Sequence, residues 1–174
     1  MASETQLVPL SELAAGEVAS IRNKIKDALV AKIAKELNKS PVDIVVRDIR
    51  AKGDLDYTYE DWFETTGATA DTYETMSTGT MADQRWVALY GVKDDAENQS
   101  CTQIKFNIGG GDRAIWHLQH LSEQDSMIGI CPSGVVIPQN SPYTISRYVR
   151  SASARTHLVL KGFVVEPRGK VVSP

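Results

Sequence analysis

From residue 85 onward, short apolar runs alternate with Gly, Pro, Asn and Ser. The runs cover residues 85–92, 102–108, 127–131, 134–138, 143–149 and 157–165, and each reads as a strand. Strands this closely spaced favour a closed or two-layered antiparallel sheet. Segment 114–121 fits two periods. Alternation puts Ala114, Trp116 and Leu118 on one face, whereas Ile115, Leu118 and Leu121 follow a helical spacing of three. Its neighbours favour a strand. Residues 94–99 and 138–142 read as loops, Gly109, Gly110 and Gly111 as a hairpin turn, and residues 166–169 as the end of the last strand.

The N-terminal part has a different rhythm. Val18, Ile21, Ile25, Leu29, Ile33 and Leu37 recur at helical spacing and predict one amphipathic helix that covers a face or end of the sheet. Ser11 is the expected cap, with Glu12 and Glu17 near the positive end of the dipole and Lys32, Lys35 and Lys39 near the negative end. Asn38 suits a left-handed cap, and Ser40 with Pro41 ends the helix. A strand over 42–49 and a turn at Gly53 follow.

Between residues 54 and 84 the periodicity fails. Eight threonines and many acids leave few aliphatics there. Residues 55–59 alternate like a short strand, 60–64 suit one helical turn, and 65–81 keep no period. This stretch is expected to run over the surface as an extended polar arm, ordered by a neighbour. The expected fold is therefore mainly β: an antiparallel β-sandwich or jelly-roll-like domain, preceded by one N-terminal amphipathic helix and the arm. It is one structural domain in three stretches: 1–53 as helix and first strand, 54–84 as arm, and 85–174 as β-sandwich core.

Composition adds two points. Apolar content of 42% and charged content of 24% are those of a globular chain. No apolar run approaches the roughly 20 residues of a membrane span, and the polar start lacks a signal-peptide pattern. A cytoplasmic location, without signal peptide or transmembrane segment, is expected. Net charge is −3, yet residues 54–99 hold 11 acidic and 2 basic groups, while 141–174 hold 1 acidic and 6 basic. Such segregation suggests complementary surfaces that steer one subunit against another. The candidate interaction residues are Tyr57, Tyr59, Trp62 and Phe63 as apolar anchors, with Arg147, Arg150 and Arg155 as a basic surface.

Reactive chemistry finds little support. Cys101 and Cys131 sit at strand edges and read as buried thiols, although a single bridge between them stays open. The Asn98 acceptor pattern has no secretory signal to give it meaning. His117, His120 and Glu123 would share a helix face but not a strand face, so the strand reading disfavours a metal site. Gly109, Gly110 and Gly111 lack the Lys and Ser or Thr of a phosphate loop. Asp54, Asp56 and Glu60 lack the glycine and final acid of a calcium loop. No nucleophile elbow is present, and neither cysteine has a histidine beside it. Arg147, Arg150, Arg155, Lys161, Arg168 and Lys170, with Tyr143 and Tyr148, could follow nucleic acid, but the chain is acidic overall and carries no recognition motif. No catalytic residue, cofactor site or metal site is expected.

Segments 129–138, 141–145 and 158–169 resemble, in style, the small jelly-roll and β-sandwich proteins of virus particles. These include decoration and cement proteins of tailed-phage heads and related capsid accessory proteins. The resemblance implies a non-enzymatic assembly protein, found in a virion assembled in the host cytoplasm. Its partners would be itself, as a homo-oligomer, and a capsid or other large protein assembly, with no membrane. Two other readings stay open. One is a carbohydrate- or ligand-binding β-sandwich module using Trp86, Trp116 or the aromatics of the arm as stacking platforms. The other is a metal-dependent enzyme resembling the cupins at His117, His120 and Glu123. In that comparison the two histidines stand at i, i+3 where the cupin pattern has i, i+2, and Ile137 occupies the place of its later histidine.

Overall fold

The computed structural model describes residues 2–58, 62–64, 69–95, 100–123, 127–152 and 156–170, with backbone alone at 62–64, 122 and 123. The chain starts with two short strands, β1 (Ser3–Gln6) and β2 (Val8–Pro9), and a 3-10 turn at Leu10–Glu12. Helix α1 (Glu17–Glu36) follows. It starts at Gly16, whose φ of 84° glycine adopts without steric cost, and no side chain caps it. Ser11, the expected cap, lies in the 3-10 turn instead. The C-terminal end matches its sequence signals. Asn38 takes a φ of 51°. The Lys39 amide bonds the Ala34 carbonyl at 2.9 Å and the Asn38 amide that of Lys35 at 3.3 Å, the paired bonds of a Schellman motif.

A 3-10 turn at Pro41–Asp43 leads to β3 (Ile44–Asp48), then a short helix α2 (Ala51–Leu55) and β4 (Trp62–Glu64). The remaining strands are β5 (Thr72–Thr80), β6 (Trp86–Asp94), β7 (Cys101–Ile108), β8 (Gly111–His117), β9 (Ile128–Ile137), β10 (Pro142–Val149) and β11 (Thr156–Pro167). Helix α3 (Gln119–Glu123) links β8 to β9. The ambiguous 114–121 segment is thus both: strand through His117, then a helical turn.

Two sheets form. Sheet A runs β1-β8-β7-β10-β5, and sheet B runs β2-β9-β6-β11-β3, with β4 also on β11. The antiparallel pairs nest. β7 pairs β8, β6 pairs β9, β5 pairs β10, and β3 pairs β11, alternately in sheets A and B. A long double-stranded ribbon has rolled up on itself, which is the order of a jelly roll. Gly109 and Gly110 turn the innermost hairpin, at φ of 66° and 80°.

Alternation along the strands fixes the layers. Val87, Leu89, Ile104, Phe106, Trp116, Ile145, Val149 and Val164 fill the space between the sheets. The opposite face of sheet B, with Trp86, Ala88, Phe163 and Val165, is covered by Leu29, Ile33 and Ala34 of α1. The predicted stripe of α1 therefore faces the sheet, most deeply along its second half. α1 covers sheet B, and among the described residues no helix lies on the outer face of sheet A.

The largest departure from expectation is β5. Residues 72–80 are not an arm over the surface but an edge strand of sheet A, paired along its length with β10. Residues 51–55 make a helix where a turn at Gly53 was expected, and Trp62–Glu64 is a strand instead of a helical turn. The two runs 127–131 and 134–138 are one strand with an irregularity between them. Residues 3–9, unassigned from sequence, form a strap: β1 joins sheet A parallel to β8 and β2 joins sheet B, so the segment crosses between the layers. Leu7, at the crossing, is its buried anchor.

Candidate interaction surface

Nesting places β5 beside β10 and β6 beside β11. Opposite charges then meet within one chain. Arg147 of β10 reaches Glu74 of β5 at 3.2 Å, and Lys170 reaches Asp83 at 3.7 Å. The charge segregation along the sequence is thus met by strand pairing inside the protomer.

A second charged group ties β3, α2 and β11 together. Arg47 of β3 donates two bonds to Asp54 of α2, at 2.7 and 2.6 Å, and its Nε bonds Glu166 of β11 at 3.0 Å. Arg85 closes the ring, with its Nε 2.9 Å from Glu166 and its Nη1 3.5 Å from Asp54. The Arg50 amide adds a bond to Asp54 at 2.8 Å. Both carboxylates are almost fully buried. Burial alone would raise the Asp54 carboxyl. The Arg47 bonds, the Arg50 amide and the charges of Arg47 and Arg85 outweigh it and hold the group below the usual carboxylate range. Sequence reasoning missed this ring. A signal was present: Arg47 and Glu166 fall on the inward phase of apolar strands, where a charge needs a buried partner.

The expected interaction residues scatter. Tyr57 is 5% exposed and belongs to the core between the sheets, so it is no surface anchor. Arg147 is 3% exposed, and besides Glu74 it bonds Thr156. It stiffens the sandwich interior and offers no basic surface. Arg150 is exposed at the end of β10. Trp62 and Phe63 lie on β4, their backbone paired with Leu158 and His157, and their side chains fall outside the described residues, as do Tyr59 and Arg155 entirely.

The residues of the other readings also part company. His117 stands on the outer face of sheet A, 3.6 Å from Glu4, whereas His120 on α3 bonds the Leu7 carbonyl through Nε2. Among the described residues no three His, Cys, Asp or Glu side chains gather as metal ligands, and the Glu123 side chain lies outside that set. Trp86 and Trp116 are buried and turn no ring face to solvent. Cys101 and Cys131 are free, buried thiols. Burial, aided by the Asp94 charge, pushes the Cys101 thiol up to about 12.

What remains exposed and organised is the outer face of sheet A. Cross-strand partners place Tyr73, Tyr148, Gln103, His117 and Gln6 in one row. The next row is Thr75, Ser146, Lys105, Ile115 and Glu4. Tyr73 and Tyr148 pack with ring centroids 5.1 Å apart, and the Lys105 ammonium sits 4.1 Å from the Tyr73 centroid. The Tyr73 hydroxyl bonds Gln103, and that of Tyr148 donates to Asp71 at 3.1 Å. Farther along, Thr78 and Thr144 share a hydroxyl bond of 3.0 Å, and Asn107 donates to Asp112 at 3.0 Å. These bonds hold the side chains in place before any partner arrives, which lowers the ordering cost of binding. Lys105 stands among Glu4 and Asp112, so the face carries both signs. No family model, curated protein or solved structure matches this chain.

Proposed function

We propose that the protein is a non-enzymatic structural component that associates with copies of itself through the outer face of sheet A. It serves as a building or decorating unit of a larger protein shell such as a virus particle. The observation that carries this reading is the bare, prearranged tyrosine and threonine face on a jelly roll whose opposite face is closed by α1. Tyrosine supplies large contact area for few lost rotamers and is enriched at the energetic centre of interfaces. A face carrying both charge signs can complement itself across a two-fold axis, as an isologous interface requires. The shell setting rests on the strand order, which recurs in capsid domains as well as in lectins and cupins.

Light scattering across protein concentration and ionic strength tests the reading. The expected result is a mass above the monomer that reverts towards it in Tyr73→Glu and Tyr148→Glu variants, which alter exposed positions and leave the core intact. A protein that stays monomeric at every concentration and salt level, and joins no larger particle, removes the proposal.

A further inference from the structure

Two β-bulges flank one end of the sandwich. In β8, Ala114 pairs with Phe106 and Asp112 with Asn107, so Arg113 between them has no ladder partner. In β9, residues 131–134 stand between the pairing of Ile130 with Gly91 and that of Val135 with Leu89. Gly134, at a φ of 63°, brings the chain back into register. Bulges re-aim side chains and recur beside functional sites. Here they border a cavity of about 340 Å³ whose walls come from β8, β9 and the strap.

The lining chemistry is one-sided. Among the described residues Arg113 is its single charged lining group and no carboxylate lines it, while Ser3, Thr5, Ser133 and Ser141 bring hydroxyls. Arg113 spends its Nε on the Ile108 carbonyl at 3.3 Å, which fixes the guanidinium and leaves its terminal nitrogens to a ligand. Ile108, Val135 and Trp116 supply apolar wall. The Trp116 side chain is wholly buried, and its indole N–H meets no acceptor among the described residues, a state that buried donors rarely keep. A hollow with donors, one cation, no acid and an apolar wall selects an anion that is partly apolar. Its volume is near the lower end for small-molecule sites, which are roughly 300–1,000 Å³.

We infer that this cavity binds a small organic carboxylate, its carboxylate group on Arg113 and the hydroxyls, its apolar body between the sheets. The inference is independent of self-association, since Arg113, Ser133 and Trp116 form the cavity within one chain. Calorimetric and NMR titrations with hexanoate and benzoate, against hexanamide, benzamide and inorganic phosphate at constant ionic strength, test it. Saturable one-site binding is expected for the two acids, with a shift of the Trp116 indole resonance (assigned through Trp116→Phe). The amides should bind at least about tenfold more weakly, as should the acids to Arg113→Gln, because a charge-assisted pair is lost in each case. Arg113 is exposed, so that variant keeps the fold, and its melting temperature checks this. Dissociation constants weaker than about 10 mM for both acids overturn the inference. So does equal binding of acid and amide, unchanged affinity in Arg113→Gln, or phosphate binding as tightly as the acids.

Discussion

At the scale of single residues, the ring of Arg47, Asp54, Arg85 and Glu166 holds β3, α2 and β11 together. Replacing Asp54 with Asn leaves two arginines facing one buried carboxylate, and removal of one partner from a buried ionic group costs about 3–5 kcal/mol. Urea denaturation at neutral pH should show a loss of that size. The pH dependence has a definite sign. The Asp54 carboxyl is held below its unfolded value. Its contribution is therefore fully present above the unfolded value, near pH 4, and is lost as pH falls through the folded one. The stability gap between wild type and Asp54→Asn should close on that descent. A gap that stays constant with pH would mean that the variant acts through packing and not through charge. The ring also shows why a linear reading misses some sites: Arg47 and Glu166 are bonded across 119 positions, and no local window contains both.

At the scale of elements, legibility followed the side-chain period. Helix α1 and the strands after residue 85 were readable because their apolar positions keep the beat of 3.6 or 2. Strand β5 broke that beat for three reasons. Met76 is an extra residue, since Ser77 pairs with Ile145 and Thr75 with Ser146. Glu74, on the inward phase, pairs with Arg147. Ser77 bonds the Leu55 carbonyl, and a Cβ on Gly79 would come within 2.5 Å of Asp56. The strap was invisible because Ser3, Glu4, Thr5 and Gln6 are polar and mostly exposed, and only Leu7 and Pro9 are buried. Its seat makes a prediction. A Cβ on Gly129 would lie 2.9 Å from Leu7 Cβ and 2.8 Å from Leu121 Cδ1. Gly129→Ala should cost about 1–3 kcal/mol by overpacking, and hydrogen exchange should speed up at residues 3–9 while core amides stay protected. Leu7→Ala keeps Cβ but removes Leu7 Cδ1, which also lies 2.9 Å from the new methyl, so the two substitutions together should cost less than their sum. Full additivity would show that the methyl is accommodated elsewhere.

At the scale of the molecule, the rolled ribbon ties its two ends together before the middle can be complete. Strand β11 holds β3, β4 and β6, and its pairing of Val164 with Arg47 joins residues more than a hundred positions apart. Helix α1 needs that same surface, because Phe163 and Val165 stand beneath it. The strap, by contrast, adds one short parallel pairing and two residues of antiparallel pairing at the outer edge of the finished sandwich. The two termini should then tolerate truncation very differently. Removing residues 1–9 should leave a cooperative unfolding transition, shifted to lower denaturant by the loss of Leu7. Removing everything from residue 156 should abolish the transition, because sheet B loses the strand that joins β3 and β4 to β6, and α1 loses its seat. The same long-range closure predicts slow folding, in the millisecond-to-second range of β-sandwiches. Stopped-flow refolding of the intact chain within microseconds, or a cooperative transition after the C-terminal deletion, would mean that the inner hairpins of β6 to β9 fold as an independent core. The outer ribbon would then be a later addition and not a condition of folding.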